Sequence, residues 1–121
     1  MSESTQRFLT EITTLSRGLA EAHQETIENW APELPPVTVA CAEIGHKLVD
    51  EFEKIDTGTR TAVFHLIEEG MEREDEELGT AVATGLIEGM AGRAARRGNW
   101  DNVRAELGPL SRSHADAWLA S

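Results

Sequence analysis

Tyrosine is absent from this chain of 121 residues, and cysteine occurs once, at Cys41. A single thiol excludes an internal disulfide and a thiolate zinc site, so cohesion has to come from packing. Basic residues number 11 against 22 acidic ones, a formal charge of −11. Such a field repels phosphate backbones and anionic head groups, which argues against nucleic acid and membrane surfaces as partners. No run approaches the roughly 20 apolar residues of a membrane span, and Met1-Ser2-Glu3-Ser4 has neither the basic segment nor the apolar core of a secretory leader. A cytoplasmic location is the expectation. Period-two alternation is missing as well, so no strand is predicted.

What is present is helical spacing nearly throughout. The length suits one domain with one core, and we expect a single all-α domain over residues 1–121 with about six helices, arranged as antiparallel hairpins in a bundle or a short HEAT-like stack. Phe8, Ile12, Leu15, Leu19 and Ala22 form a stripe on one helix or a bent pair of helices between about residues 4 and 29, with Gly18 as the break. Three of the four prolines fall at Pro32, Pro35 and Pro36, a rigid link that ends one helix and opens the next. The second helix carries Val37, Cys41, Ile44, Leu48, Phe52 and Ile55 on one face. Asp56 caps a third, buried through Val63, Leu66, Ile67 and Met71, and Asp75 caps a fourth.

Between Leu78 and Gly92 the only charged side chain is Glu88, so the fourth helix is expected at the centre of the domain. Gly85 and Gly89, one turn apart, imply close approach by a neighbouring helix, and Glu88 is expected to pair with an arginine, Arg112 first, or with capping amides. Gly98 ends this helix and Asn99 is placed to cap the next, which Trp100, Val103 and Leu107 anchor. A last helix from about Pro109 is expected to lay Leu110, Trp118 and Leu119 on the body.

Motifs for chemistry are sparse. Glu43 and His46 have the Glu-x-x-His spacing found in di-iron carboxylate bundles, but those sites use two such pairs with further glutamates, and no second pair exists here. There is no Gly-x-Ser-x-Gly, Walker loop or dinucleotide fingerprint, and Cys41 lies on an apolar stripe. The chain is therefore read as a non-enzyme with no cofactor, no metal and no catalytic residue.

Charge offers more. Residues 1–77 hold 18 acidic and 6 basic side chains, a balance of −12, whereas residues 78–121 hold 4 and 5, a balance of +1. Carboxylates at helix C-termini oppose the dipole, so local stability does not account for Asp50, Glu51 and Glu53 near one such end, or for Glu68, Glu69, Glu72, Glu74, Asp75, Glu76 and Glu77 near another. These ten are the predicted partner-binding residues, an acidic helical face for a basic protein. A helical scaffold or oligomerising adaptor is the alternative, and a metal-binding carboxylate–histidine protein a further one.

Val63-Phe64, Ile67-Glu68-Glu69, the acidic linker, Val82-Ala83-Thr84-Gly85-Leu86-Ile87-Glu88, Leu107-Gly108-Pro109-Leu110-Ser111-Arg112 and the Leu34-Pro35-Pro36-Val37 link together span about residues 30–112. This pattern resembles a small all-helical bacterial family of unknown function that is similar to contact-dependent inhibition and polymorphic-toxin immunity proteins. The resemblance implies an all-helical fold and an immunity role, in which the chain occludes the basic active-site or substrate-binding surface of a cognate toxin. It supplies no catalytic residue.

Overall fold

The computed structural model describes residues 1–121 as seven helices with no strand. They are α1 (Glu3–Leu15), α2 (Arg17–Trp30), α3 (Val37–Asp50), α4 (Thr57–Glu72), α5 (residues 76–97), α6 (Trp100–Glu106) and α7 (Pro109–Ala120). Within α5 the α-helical stretches Glu76–Thr80 and Glu88–Arg97 flank a π-helical stretch, Ala81–Ile87. The expected six becomes seven because the first stripe is two helices. Its break lies at Ser16, not Gly18: Ser16 is extended, and its hydroxyl accepts from the Leu19 amide at 3.4 Å to cap α2.

Both aspartate caps form as the sequence predicts, Asp56 accepting from the Thr59 amide at 3.0 Å and Asp75 from the Leu78 amide at 2.9 Å. α3 is shorter than its stripe. It ends at Asp50, and the turn that follows still buries Phe52, which the Arg60 guanidinium covers at 4.4 Å from the ring centroid while bonding the Phe52 carbonyl at 2.9 Å. Gly98 closes α5 at φ +80°, a conformation that disfavours any residue with a Cβ. Asn99 makes no capping bond to α6.

The core comprises 24 buried side chains, centred on the packing of α3 against α5. Small residues set that spacing. A methyl group on Gly85 would lie 2.5 Å from the Thr38 carbonyl oxygen, one on Gly45 2.6 Å from the Leu86 carbonyl oxygen, and one on Gly89 3.1 Å from that of Ala42. Position 38 thus meets 85, 42 meets 89, and Asp50 meets Arg93, so α3 and α5 run parallel. Their other neighbours run the opposite way: α2 lies antiparallel to α3, and α4 to α5. As the second half of α5 reaches Asp50, the α4–α5 turn falls at the far end of the molecule, about 30 Å away for a helix of this length.

α7 is held differently from the expectation. Leu110, Trp118 and Leu119 are exposed at 46%, 38% and 37%, and the buried positions are the small residues Ser111 and Ala115. Trp118 does lay its ring against Gly92 of α5, and polar ties do the rest: the Glu68 carboxylate receives the amides that begin α7, His114 meets Glu88, and Arg104 of α6 grips Asp116 at 2.9 and 2.7 Å. The partner of Glu88 is thus His114, at 2.9 Å, and not Arg112, whose guanidinium donates to the Leu107 carbonyl at 2.9 Å.

Candidate functional site: a bipolar distribution of carboxylates

The ten predicted carboxylates do not form one surface. Because α3 and α5 are parallel, Asp50, Glu51 and Glu53 gather at one end of the pair, and Glu72, Glu74, Asp75, Glu76 and Glu77 at the other. The two ends differ in how their charge is balanced.

At the α3 end, Asp50 receives a bidentate pair from Arg93, Nε at 2.9 Å and Nη2 at 2.7 Å, plus Arg97 Nη1 at 3.2 Å. The Arg93 hydrogen bond holds the Asp50 carboxyl below its ordinary value, with the charges of Arg93, Arg97 and His46 adding to the effect against opposing burial. Glu51 pairs with Lys47 at 3.1 Å. Only Glu53 is exposed without an ion-pair partner. The fold spends most of this end's negative charge internally.

At the α4–α5 turn the carboxylates divide by role. Asp75 caps α5, and Glu77 accepts from the Ser2 amide at 2.7 Å, tying the N-terminal segment to the turn. The bonds from Leu78 to Asp75 and from Ser2 to Glu77 each hold the accepting carboxyl below its ordinary value, as the bonds from Thr59 do for Asp56 at the other end of α4. Glu72, Glu74 and Glu76 are exposed and make no hydrogen bond or ion pair within the fold. Three free carboxylates against one exposed arginine, Arg73, on a turn whose backbone is pinned from both sides make this the anionic pole.

Two members of the set lie elsewhere. Glu68 is buried at 9% exposure, its oxygens receiving the Leu110 amide at 2.9 Å, the Ser111 amide at 3.0 Å and the Ser111 hydroxyl at 2.7 Å. It is a helix cap that no partner can reach, which corrects its place among the binding residues. Glu69, half-buried, stands 3.7 Å from His65 Nε2 at the edge of a groove between α1 and α4.

Residues 5–120 match the family described as a domain of unknown function (DUF7674). The chain belongs to that family. No curated protein and no solved structure matches it. The match reaches all seven helices, so the anionic pole, the Glu68 cap and the α3–α5 contact all lie inside the family's domain.

The remaining side chains with chemical potential are occupied or isolated. Glu43 Oε1 lies 3.5 Å from His46 Nδ1, and no group of three or more His, Cys, Asp or Glu side chains converges there or anywhere else in the fold. Cys41 is fully buried, and burial pushes its thiol up to about 12. No helix is long and apolar enough to cross a membrane. Sequence reasoning missed Glu68 as a cap and His114 as the partner of Glu88. Gly108-Pro109 marked the start of α7 and its free amides, but nothing local pointed to a carboxylate 42 residues earlier.

Proposed function

We propose that this is a non-enzymatic binding protein that recognises a basic protein through the anionic pole at the α4–α5 turn. The observation that supports it is the contrast between the two ends: arginine and lysine neutralise Asp50 and Glu51, whereas Glu72, Glu74 and Glu76 remain exposed and unpaired on a pinned turn. Unpaired carboxylates on a preformed surface speed encounter with a cationic partner and set its orientation without a cost of rearrangement. In the finer reading, drawn from the resemblance to bacterial immunity proteins, the partner is a toxin met in the cytoplasm, and the pole covers the cationic surface that holds the toxin's substrate.

The test is binding to the protein encoded by the adjacent reading frame, because toxin and antidote are commonly encoded together. Association is expected to slow by an order of magnitude or more between about 50 and 500 mM salt. Charge reversal of Glu72, Glu74 and Glu76 together is expected to lower the association rate at low salt. Salt-independent association contradicts the reading.

The exposed Leu110, Trp118 and Leu119 of α7 favour a second reading, a helical scaffold or self-associating adaptor. Light scattering separates the two, since a stable homo-oligomer that captures no basic protein supports the scaffold.

A further inference from the structure

α4 carries two stripes. One faces the core; the other, Gly58, Thr61, Ala62, His65 and Glu69, recurs at helical spacing and, with the buried Leu66 at its edge, lines an open groove of about 600 Å³ against α1. Its opposite wall is built from Glu11, Thr14 and Leu15, with Leu15 exposed at 38%. The floor is made of small or short side chains, which leaves room for a backbone to approach. The groove follows about three turns of α4, roughly 16 Å.

The lining contains no lysine or arginine, and its carboxylates, Glu11 and Glu69, sit towards the anionic pole, where Glu72 follows one turn after Glu69. Glu11 has no ion-pair partner in the fold. Arg7 and Arg73 line a small hollow that adjoins this end and shares Glu11, Leu66 and Glu69 with the groove; Arg7 is paired with Glu3 at 3.2 Å, and the one unpaired cation, Arg73, is outnumbered there by Glu11, Glu69 and Glu72. An occupant therefore meets apolar and small groups along the length and negative charge at one end. An all-helical body offers no strand edge to extend, so the matching shape is a helix laid between two helices.

We propose that the α1–α4 groove docks an amphipathic helix of the partner protein, about three turns long, with an apolar ridge along the groove and lysine or arginine at the end nearest Glu11 and Glu69. This rests on the reading of the protein as a binder of basic proteins, and places the main contact beside the pole, with the pole as its charged extension.

A labelled 15-residue helical peptide serves as the probe, with leucines along one ridge and lysines at one end; a control peptide carries glutamates in place of the lysines. Amide shifts in a titration are expected to centre on residues 10–15 and 58–69. Ala62→Arg, which fills the groove, is expected to weaken probe binding about tenfold or more. Thr61→Arg, at an exposed position of the same wall, is expected to do the same without disturbing the core. Salt-dependent binding whose shifts centre on residues 72–77 and ignores both variants overturns the groove and leaves the pole intact. Equal binding of the control peptide overturns the charge argument for both. No binding of the lysine peptide overturns the groove as a site for this class of helix, while toxin association at the pole is scored separately by its salt dependence. A dimer of the free protein that either variant dissolves assigns the groove to a second copy of the chain and overturns the proposal.

Discussion

Glu68 of α4 and Ser111 of α7 stand 43 residues apart, and a single carboxylate oxygen of Glu68 receives both the amide and the hydroxyl of Ser111, at 3.0 and 2.7 Å. With the Leu110 amide on the other oxygen, the carboxylate serves as an N-cap supplied from another helix, where the dipole favours a negative charge. As α7 fully buries only two small side chains, this contact is a main tie of the helix to the body, beside the His114–Glu88 and Arg104–Asp116 pairs.

Glu68→Ala leaves two buried donors without an acceptor and is expected to lower stability by about 2 kcal/mol in urea denaturation. Amide exchange in residues 109–120 should accelerate more than in α3. A loss within the range of ordinary surface substitutions, about 0.5 kcal/mol, refutes the role assigned to Glu68.

The same carboxylate sets a pH dependence. Burial raises the Glu68 pKa, but the Ser111 and Leu110 amides and the Ser111 hydroxyl outweigh it, and the folded value lies below the ordinary one. Between the two values the unfolded chain binds more protons, so this stabilisation is complete above the unfolded pKa and declines as pH falls below about 4.3. Denaturation midpoints measured from pH 7 to pH 3 should fall less steeply for Glu68→Gln than for the parent.

Two glycines of one helix should respond in opposite directions to alanine. Gly85→Ala forces a methyl against the Thr38 carbonyl at the α3–α5 contact, with an expected loss of about 2 kcal/mol. Gly79 has open space around the position of a Cβ, and Gly79→Ala should add about 0.5–1 kcal/mol by favouring the helix. Thermal unfolding of both proteins checks the pair, and a neutral Gly85→Ala contradicts the packing described here.

Cys41 should not react with Ellman's reagent in the native protein, since its thiol is fully buried and protonated at neutral pH. One equivalent should appear in denaturant. Rapid native reaction requires α3 to open away from α5.

Local patterns carried much of this structure. Asp56 and Asp75 are read as caps from the few residues that follow them, because a cap closes its bond three positions on. The stripe of α3 and the paired glycines of α5 announce a close helix contact for the same reason: 3.6-residue spacing is written in adjacent turns. Ser16 escaped because glycine is the stronger breaker in general, whereas here a hydroxyl at the right offset ended one helix by starting another.

The carboxylates show where that legibility stops. Composition and spacing by themselves determined an all-helical, acidic chain with capped helices, an inert cysteine and one central helix, since each depends on neighbours within a turn or two. Which acids are free to meet a partner was decided only by tertiary structure. Glu68 and Glu72 look alike in sequence, yet one is enclosed by the start of α7 and the other faces solvent, and the charge of Asp50 is balanced by arginines 43 and 47 residues away. Electrostatic pairing acts over a few ångströms of space whatever the separation along the chain, so the parallel course of α3 and α5 separates one acidic composition into a neutralised end and a bare one.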